Sequence, residues 1–138
     1  MPIINAISGD LLSLFEDQKY NAIAHGCNTF VIFGGGIALS IKNKYPEAFE
    51  TDRKAGSTKQ NYLGNYSVCE LKDTSQFIFN LYTQDTLGWN KLHDAPPADY
   101  TAVYRAFLKL NKDYKDKDNF KIAIPLISAG LAKGNWPI

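Results

Sequence analysis

The feature that most constrains this chain is a run of three glycines between an apolar strand and a helical pattern. Residues 21–39 read NAIAHGCNTFVIFGGGIAL, which predicts a strand at 22–24, a polar turn at His25, Gly26 and Asn28, and a helix after Gly36. Glycines let the backbone approach a ligand closely, and the free N–H groups of a helix N-terminus attract negative charge. The order strand, glycine loop, helix therefore predicts an anion site, although a glycine run on its own is also typical of a flexible connection.

The composition limits the class of protein. A chain of 138 residues, 45% hydrophobic and 21% charged, is large enough for a buried core, and we expect one domain over residues 1–138. The 15 basic and 14 acidic residues nearly cancel, which argues against nucleic acid duplexes as partners. Because the apolar runs are too short to span a membrane and the N-terminus does not resemble a signal peptide, we expect a cytoplasmic protein with no membrane partner. The cysteines, Cys27 and Cys69, are expected to be reduced thiols.

Predicted strands and helices alternate along the chain. The strands fall at residues 3–7, 22–24, 66–71, 76–82 and 121–125, and the helices at 11–15, 37–45, 46–53 and 98–115. This alternation predicts an α/β fold with three layers and a largely parallel central sheet, in which 66–71 and 76–82 form a hairpin. The last helix carries apolar residues at helical spacing, all predicted to face the sheet: Tyr100, Val103, Tyr104, Phe107, Leu108 and Leu110.

A second glycine-containing loop follows the last predicted strand, where residues 126–136 read LISAGLAKGNW. If the strands that precede the two loops are parallel neighbours, both loops emerge at the same carboxyl edge of the sheet. They would then form the walls of a groove lined by backbone N–H groups, which suits a diphosphate. Each charge-assisted hydrogen bond in such a groove contributes about 1.5–3 kcal/mol.

Three side chains near the first loop carry alternative interpretations. Asp10 is either the N-cap of the first helix or an acceptor for a ligand amine, and the residues alone favour the cap. His25, with an ordinary pKa near neutrality, is either a general base or a hydrogen-bonded structural residue at the end of a buried strand. Cys27 has no histidine at a recognisable spacing, so a small buried thiol is expected. Because the histidines and cysteines do not have metal-ligand spacing, no metal site is predicted.

The motifs taken together resemble the macro domain family of ADP-ribose-binding modules. The resemblance rests on Gly9-Asp10, on Asn28 followed by Gly34-Gly35-Gly36-Ile37-Ala38, and on residues 125–130, PLISAG, and it spans nearly the whole chain. It implies a three-layer α/β/α fold with a mixed, mostly parallel sheet of six or seven strands.

The resemblance also implies a role for each matching residue. Asp10 corresponds to the aspartate that binds the adenine amino group, and Asn28 to the asparagine that contacts the distal ribose hydroxyls. Gly34, Gly35 and Gly36 correspond to the loop that encloses the distal ribose and its phosphate. The loop that wraps the diphosphate corresponds to Ser128, Ala129, Gly130, Leu131 and Ala132. The ligand is then ADP-ribose or ADP-ribose 1″-phosphate, and no cofactor is implied.

The segment HGCNTFVIFGGGIAL, with Phe33 directly before the glycines, is similar to the ADP-ribose 1″-phosphate phosphatase branch of the family. Viral-type members carry a histidine at the position of Phe33. The branch that removes ADP-ribose from acidic side chains uses a lysine and an aspartate that fall on Gln84 and Ala132 here. The resemblance therefore implies hydrolysis of ADP-ribose 1″-phosphate, with Asn28 orienting the water or the ribose and His25 as the candidate base. Two alternatives remain open: a non-catalytic reader of ADP-ribose or mono-ADP-ribosylated protein, and an ADP-ribosyl hydrolase that uses a substrate-assisted water.

The printed chain stops at Ile138, where the resemblance leads us to expect another helix and strand. We therefore expect a C-terminally short domain whose exposed sheet edge favours self-association or a covering partner.

Overall fold

The strands and helices follow the predicted alternation. The computed structural model describes residues 10–34, 36–85 and 99–125, so the predicted strand at 3–7 lies outside the described residues. No helix in these ranges is long and apolar enough to cross a membrane. The elements, in chain order, are α1 (Leu11–Glu16), β1 (Ala22–Asn28), α2 (Gly36–Lys44), α3 (Pro46–Ser57), β2 (Tyr66–Leu71), β3 (Gln76–Gln84), α4 (Tyr100–Tyr114) and β4 (Ile122–Ala123).

The described strands form one mixed sheet in the order β2-β3-β1-β4. β1 pairs in parallel with β3 on one side and with β4 on the other, where Ala22 lies opposite Phe77 and Ile122 respectively. β2 and β3 form the antiparallel hairpin that the sequence predicted. The mostly parallel sheet, and the neighbouring positions of β1 and β4, are thereby confirmed.

Helices cover both faces of this sheet, as the three-layer prediction required. Alternate strand residues point to opposite faces, so each strand supplies two separate cores. The core under α1, α2 and α3 includes Phe15, Ile23, Phe33, Ile41, Ala48, Ile78 and Tyr82. The core under α4 includes Ala22, Ala24, Phe79, Leu81, Val103, Ala106 and Leu110.

β1 is longer than its apolar run predicts. The predicted polar turn at His25, Gly26 and Asn28 is wrong, because the strand continues through Asn28. His25 is fully buried and Cys27 nearly so, because both side chains find partners inside the core. The polar residues led us to predict too short a strand. Because their side chains have partners in the core, the strand continues for four more residues.

The buried face of α4 also differs from the prediction. The fully packed positions are Ala102, Val103, Ala106 and Leu110. Tyr104 and Leu108, which we expected in the core, are 66% and 54% exposed, and Tyr100 is also exposed. Small alanines on one stripe let α4 approach the sheet closely, and the large residues on the neighbouring stripe are left outside.

A continuous chain of hydrogen bonds crosses the core under α3. The Asn80 amide donates to the Ala48 carbonyl and to Ser67 Oγ, which directs its Oδ1 to His25 Nε2 at 2.7 Å. The Tyr82 hydroxyl contacts Ser67 Oγ at 2.8 Å and donates to Asp52 Oδ1 at 2.7 Å. Burial raises the pKa of the Asp52 carboxyl, although the bond from Tyr82 opposes this. The other carboxylate oxygen of this fully buried aspartate has no partner among the described residues.

Removing the Tyr82 hydroxyl should therefore destabilise the fold. Tyr82→Phe leaves both Asp52 oxygens buried without a donor, and we expect a loss of about 1–3 kcal/mol in the free energy of unfolding. Urea denaturation at pH 7 measures the loss. Tyr104→Phe is the matched control, because that side chain is exposed and should change stability by less than about 0.5 kcal/mol. Equal midpoints for the two variants would contradict the interpretation.

The buried histidine should make stability depend on pH. Burial lowers the pKa of His25 from 6.5 to about 4, against the opposing effect of the Asn80 bond. Between these values the unfolded chain binds a proton that the folded chain does not, so stability falls as the pH drops from 6.5 to 4, by about 3 kcal/mol in total. Asp52 acts with the opposite sign, because its raised pKa removes stability as the pH rises above 3.8.

His25→Gln isolates the histidine contribution, because glutamine can still donate to Asn80 but does not titrate. We expect this variant to lose much less stability than the wild type between pH 7 and pH 4.5 in urea denaturation. The same loss in both proteins would show that His25 is not the titrating group.

Candidate functional site

The candidate site lies where β1 ends and α2 begins. Asn28 is the last residue of β1, residues 29–34 form the connection, and Gly36 is the first residue of α2. β4 runs parallel to β1 and pairs with its first two residues, Ala22 and Ile23, so Ile124 and Pro125 lead toward the edge at which β1 ends. The two loops therefore start from neighbouring strands, as the groove prediction requires. Gly35 and the second loop, with Ser128, Ala129, Gly130, Leu131 and Ala132, lie outside the described residues.

A β-bulge lies beside the end of β1. Cys27 lies opposite Tyr82, but Asn28 lies opposite Gln84, so Thr83 is an additional residue in β3. Bulges are common next to functional sites, where they end regular strand pairing. The regular pairing of β1 with β3 therefore ends where the loop after Asn28 begins.

The Asn28 carboxamide shapes that loop. Its Nδ2 donates to the Ile32 carbonyl and its Oδ1 accepts from the Phe30 N–H, both at 2.9 Å. A carboxamide has two N–H groups and two acceptor lone pairs, so one of each remains for a ligand. The ribose contact assigned to Asn28 stays a prediction. The two bonds also give Asn28 a structural role, because they fix the backbone of the loop at Phe30 and Ile32.

Gly34 and Gly36 are both exposed, and only Gly36 needs to be glycine for its backbone. Its φ is +57°, in the left-handed region that side chains avoid, and the space where a Cβ would lie is open. The first turn of α2 therefore begins with an accessible backbone, next to the unpaired N–H groups of a helix N-terminus. This arrangement suits an anion.

The His25 ring packs against the loop residue Phe33 from inside the core. It meets the buried Phe33 ring edge-on at 5.2 Å, and Phe33 in turn meets Phe49 of α3 at 5.3 Å. Because burial lowers the pKa of His25 to about 4, the ring is neutral at pH 7, and since Nε2 donates to Asn80 Oδ1, Nδ1 carries no proton. The catalytic role of His25 stays a prediction, and its complete burial favours the structural alternative.

Cys27 does have a histidine partner, which the sequence analysis missed. Residues two apart on a strand share a face, and Cys27 Sγ lies 3.6 Å from His25 Nε2 and 3.7 Å from Nδ1. Burial, with the nearby charge of Asp52, raises the pKa of the thiol well above its usual value. Cys27 is therefore protonated and packs against the His25 ring, as the expected buried thiol, and it is not a nucleophile.

Asp10 occupies the N-cap position of α1, with extended backbone, but its side chain makes no cap bond to the helix backbone. Its Oδ2 accepts instead from the Ser13 hydroxyl at 2.9 Å. The carboxylate is exposed, so its other oxygen is available to a ligand amine. The position is as predicted, and the adenine contact stays a prediction.

Asn80 is the residue of this region that the sequence analysis overlooked. It fixes the tautomer of His25 from the middle of β3, where residues 77–82, FIFNLY, carry one amide among apolar and aromatic side chains. A buried polar residue inside an apolar strand was the available signal, because such groups need partners in the core.

Comparison with known proteins gives relatives over nearly the full chain. The chain is 36% identical over 142 residues to an uncharacterized 17.5 kDa protein from the tk-vs intergenic region of Enterobacteria phage T4, covering 99% of this chain and 84% of that protein. It is 28% identical over 142 residues to an ADP-ribose 1″-phosphate phosphatase of Candida albicans, covering 97% and 87%. It is 25% identical over 131 residues to a DNA ADP-ribosyl glycohydrolase of Mycobacterium tuberculosis, covering 94% of this chain and 34% of that protein.

Solved structures share the fold. The macrodomain of Mycobacterium tuberculosis DarG superposes with a TM-score of 0.79 at 24% identity, covering 97% of this chain and 82% of that chain. Thermosipho africanus DarTG in complex with ADP-ribose superposes with a TM-score of 0.75 at 17% identity, covering 93% and 34%. The family model of the macro domain matches residues 24–137. This chain belongs to the macro domain family.

Proposed function

We propose that this chain binds ADP-ribose at the carboxyl edge of β1 and β4 and hydrolyses ADP-ribose 1″-phosphate to ADP-ribose and phosphate. The observation that carries the proposal is the similarity to a curated phosphatase over 97% of the chain. The geometry at the end of β1 supports it independently, because an accessible glycine precedes a helix N-terminus at the point where the terminal phosphate would lie.

The diphosphate would lie between the two loops. Parallel pairing of β1 with β4 supports this, because parallel neighbours run toward the same edge, where main-chain N–H groups of both loops would reach one ligand. Backbone donors suit a chain with nearly balanced charge, because they bind phosphate oxygens without an excess of Lys or Arg. Asp10 would accept from the adenine amino group, and Asn28 would use its remaining N–H on the distal ribose.

The reaction is attack of water on phosphorus with cleavage of the bond to the 1″ oxygen. The ribose hydroxyl regains a proton from the water, and inorganic phosphate leaves. Such transition states spread charge over the equatorial oxygens and need positioned donors more than covalent chemistry. The backbone around Gly34, Gly35 and Gly36 supplies these donors in the proposal, and Asn28 orients the water or the ribose.

His25 has a different task in this mechanism. Its neutral, buried ring packs against Phe33 of the loop, and the Cys27 thiol packs against the ring. We therefore assign it no proton transfer and treat it as a support for the loop that precedes Gly34.

A second candidate is release of ADP-ribose from ADP-ribosylated DNA. The similarity to a DNA ADP-ribosyl glycohydrolase and the TM-score of 0.79 with the DarG macrodomain support it. Both reactions need the same groove and differ at the distal ribose, where one breaks a bond to phosphorus and the other a bond to the 1″ carbon.

Phosphate release distinguishes the candidates. The wild type should release phosphate from ADP-ribose 1″-phosphate, and Asn28→Ala should lower kcat/KM by about tenfold, the equivalent of one lost hydrogen bond to a charged ligand. Asn111→Ala, on the exposed side of α4, is the matched control and should retain full activity.

The other outcomes identify the alternatives. Tight ADP-ribose binding in calorimetry without phosphate release would leave a reader. Release of ADP-ribose from a modified oligonucleotide, without phosphate release, would favour the glycohydrolase.

Asp10→Ala tests the adenine end of the groove. Loss of one hydrogen bond from the adenine amine should weaken ADP-ribose binding by about 1–3 kcal/mol in calorimetry. Asp17→Ala, an exposed carboxylate at the other end of α1, is the control. Equal affinities of the two variants would remove Asp10 from the site.

A further inference from the structure

The loop that follows β1 contains an unusual backbone conformation. Val31 has a φ of +62°, and it is the β-branched member of the positive-φ residues in the described ranges. A β-branched side chain at positive φ is strained, because its two γ substituents crowd the backbone. Such strain persists only where the surrounding structure imposes it, and it concentrates at ligand-binding and switching segments.

The contact that holds Val31 is with a glycine of α3. Gly56 lies in the last turn of this helix, and an ideal Cβ built on it would stand 2.5 Å from Val31 Cγ2. The valine methyl thus occupies the space that only a glycine leaves. Glycine is unfavourable inside a helix. Two residues that each break a local preference therefore meet at one contact, which indicates that the contact itself is selected by the fold.

A hydrogen bond holds the same loop beside this contact. Asn61 Nδ2 donates to the Thr29 carbonyl at 2.7 Å, across 32 positions of sequence. Asn61 also borders Gly56, since the ideal Cβ would lie 3.5 Å from its Nδ2. The end of α3 therefore holds the loop at Thr29 through a polar bond and at Val31 through close packing.

We propose that Val31, Gly56 and Asn61 are positioning residues that hold residues 29–34 in the conformation that ADP-ribose requires. This inference rests on the proposed function for its ligand, but the loop conformation itself does not. The three residues contact no ligand in the proposal. They act through the backbone that leads from Asn28 to Gly34, and the end of α3 serves as the template against which this segment is shaped.

Gly56→Ala is the direct test, because its Cβ collides with Val31 Cγ2. We expect the displaced loop to weaken ADP-ribose binding by about tenfold in calorimetry, since displacements of about 1 Å in a site have effects of this order or larger. Val31→Ala removes the colliding methyl, so the double variant Gly56→Ala/Val31→Ala should bind more tightly than Gly56→Ala alone. Ser57→Ala, an exposed neighbour in α3, is the control and should bind like the wild type.

Hydrogen exchange provides a readout that needs no ligand. Gly56→Ala and Asn61→Ala should both increase amide exchange in residues 29–34 of the free protein, while the exchange of β3 stays unchanged. If the wild type does not bind ADP-ribose but the variants still show this pattern, the proposed function fails and the positioning role stands.

Three results would overturn the proposal. The first is wild-type affinity and exchange in folded Gly56→Ala. The second is a double variant no better than Gly56→Ala, because the defect would then not come from the contact with Val31. If Gly56→Ala does not fold, Asn61→Ala decides: wild-type affinity and wild-type exchange in that variant would overturn the proposal.

Discussion

The structure depends on the parallel pairing of β1 with a neighbour on each side. β1 pairs with β3 along its whole length and with β4 at Ala22 and Ile23, and helices cover both faces of the sheet, so its register and direction are fixed. Everything proposed for the site follows from where β1 ends. Its last residue, Asn28, leads into the glycine loop, and its neighbour β4 runs in the same direction beside the start of β1.

A network of hydrogen-bonded polar side chains lies inside the core under α3. One face of β1 and β3 carries His25 and Asn80 in a line with Tyr82, where a purely apolar face would be easier to fold. The line runs from the ring that touches Phe33, through Asn80, Ser67 and Tyr82, to the carboxylate of Asp52. A network of this kind is specific because any shift leaves a buried polar atom unpaired. We interpret this network as the contact that fixes the position of the loop residue Phe33 over the sheet, through the ring of His25.

The family and the reaction rest on different kinds of support. Membership follows from a match over residues 24–137 and from agreement in fold. The reaction is a proposal, because the relatives include one named an ADP-ribose 1″-phosphate phosphatase and one named a DNA ADP-ribosyl glycohydrolase.

The sequence by itself determined the alternation of strands and helices, the hairpin at 66–71 and 76–82, and the glycine loop ahead of α2, because each depends on neighbours in the chain. It also indicated the family, since Asn28, the glycines and the PLISAG segment keep their order and spacing. Only the tertiary structure decided that β1 continues through His25, that Tyr104 and Leu108 lie outside the core, and that Cys27 meets His25. It alone also revealed Val31 against Gly56. The physical reason is the same in each case: burial, partner choice and backbone strain depend on residues distant in sequence, which local patterns do not encode.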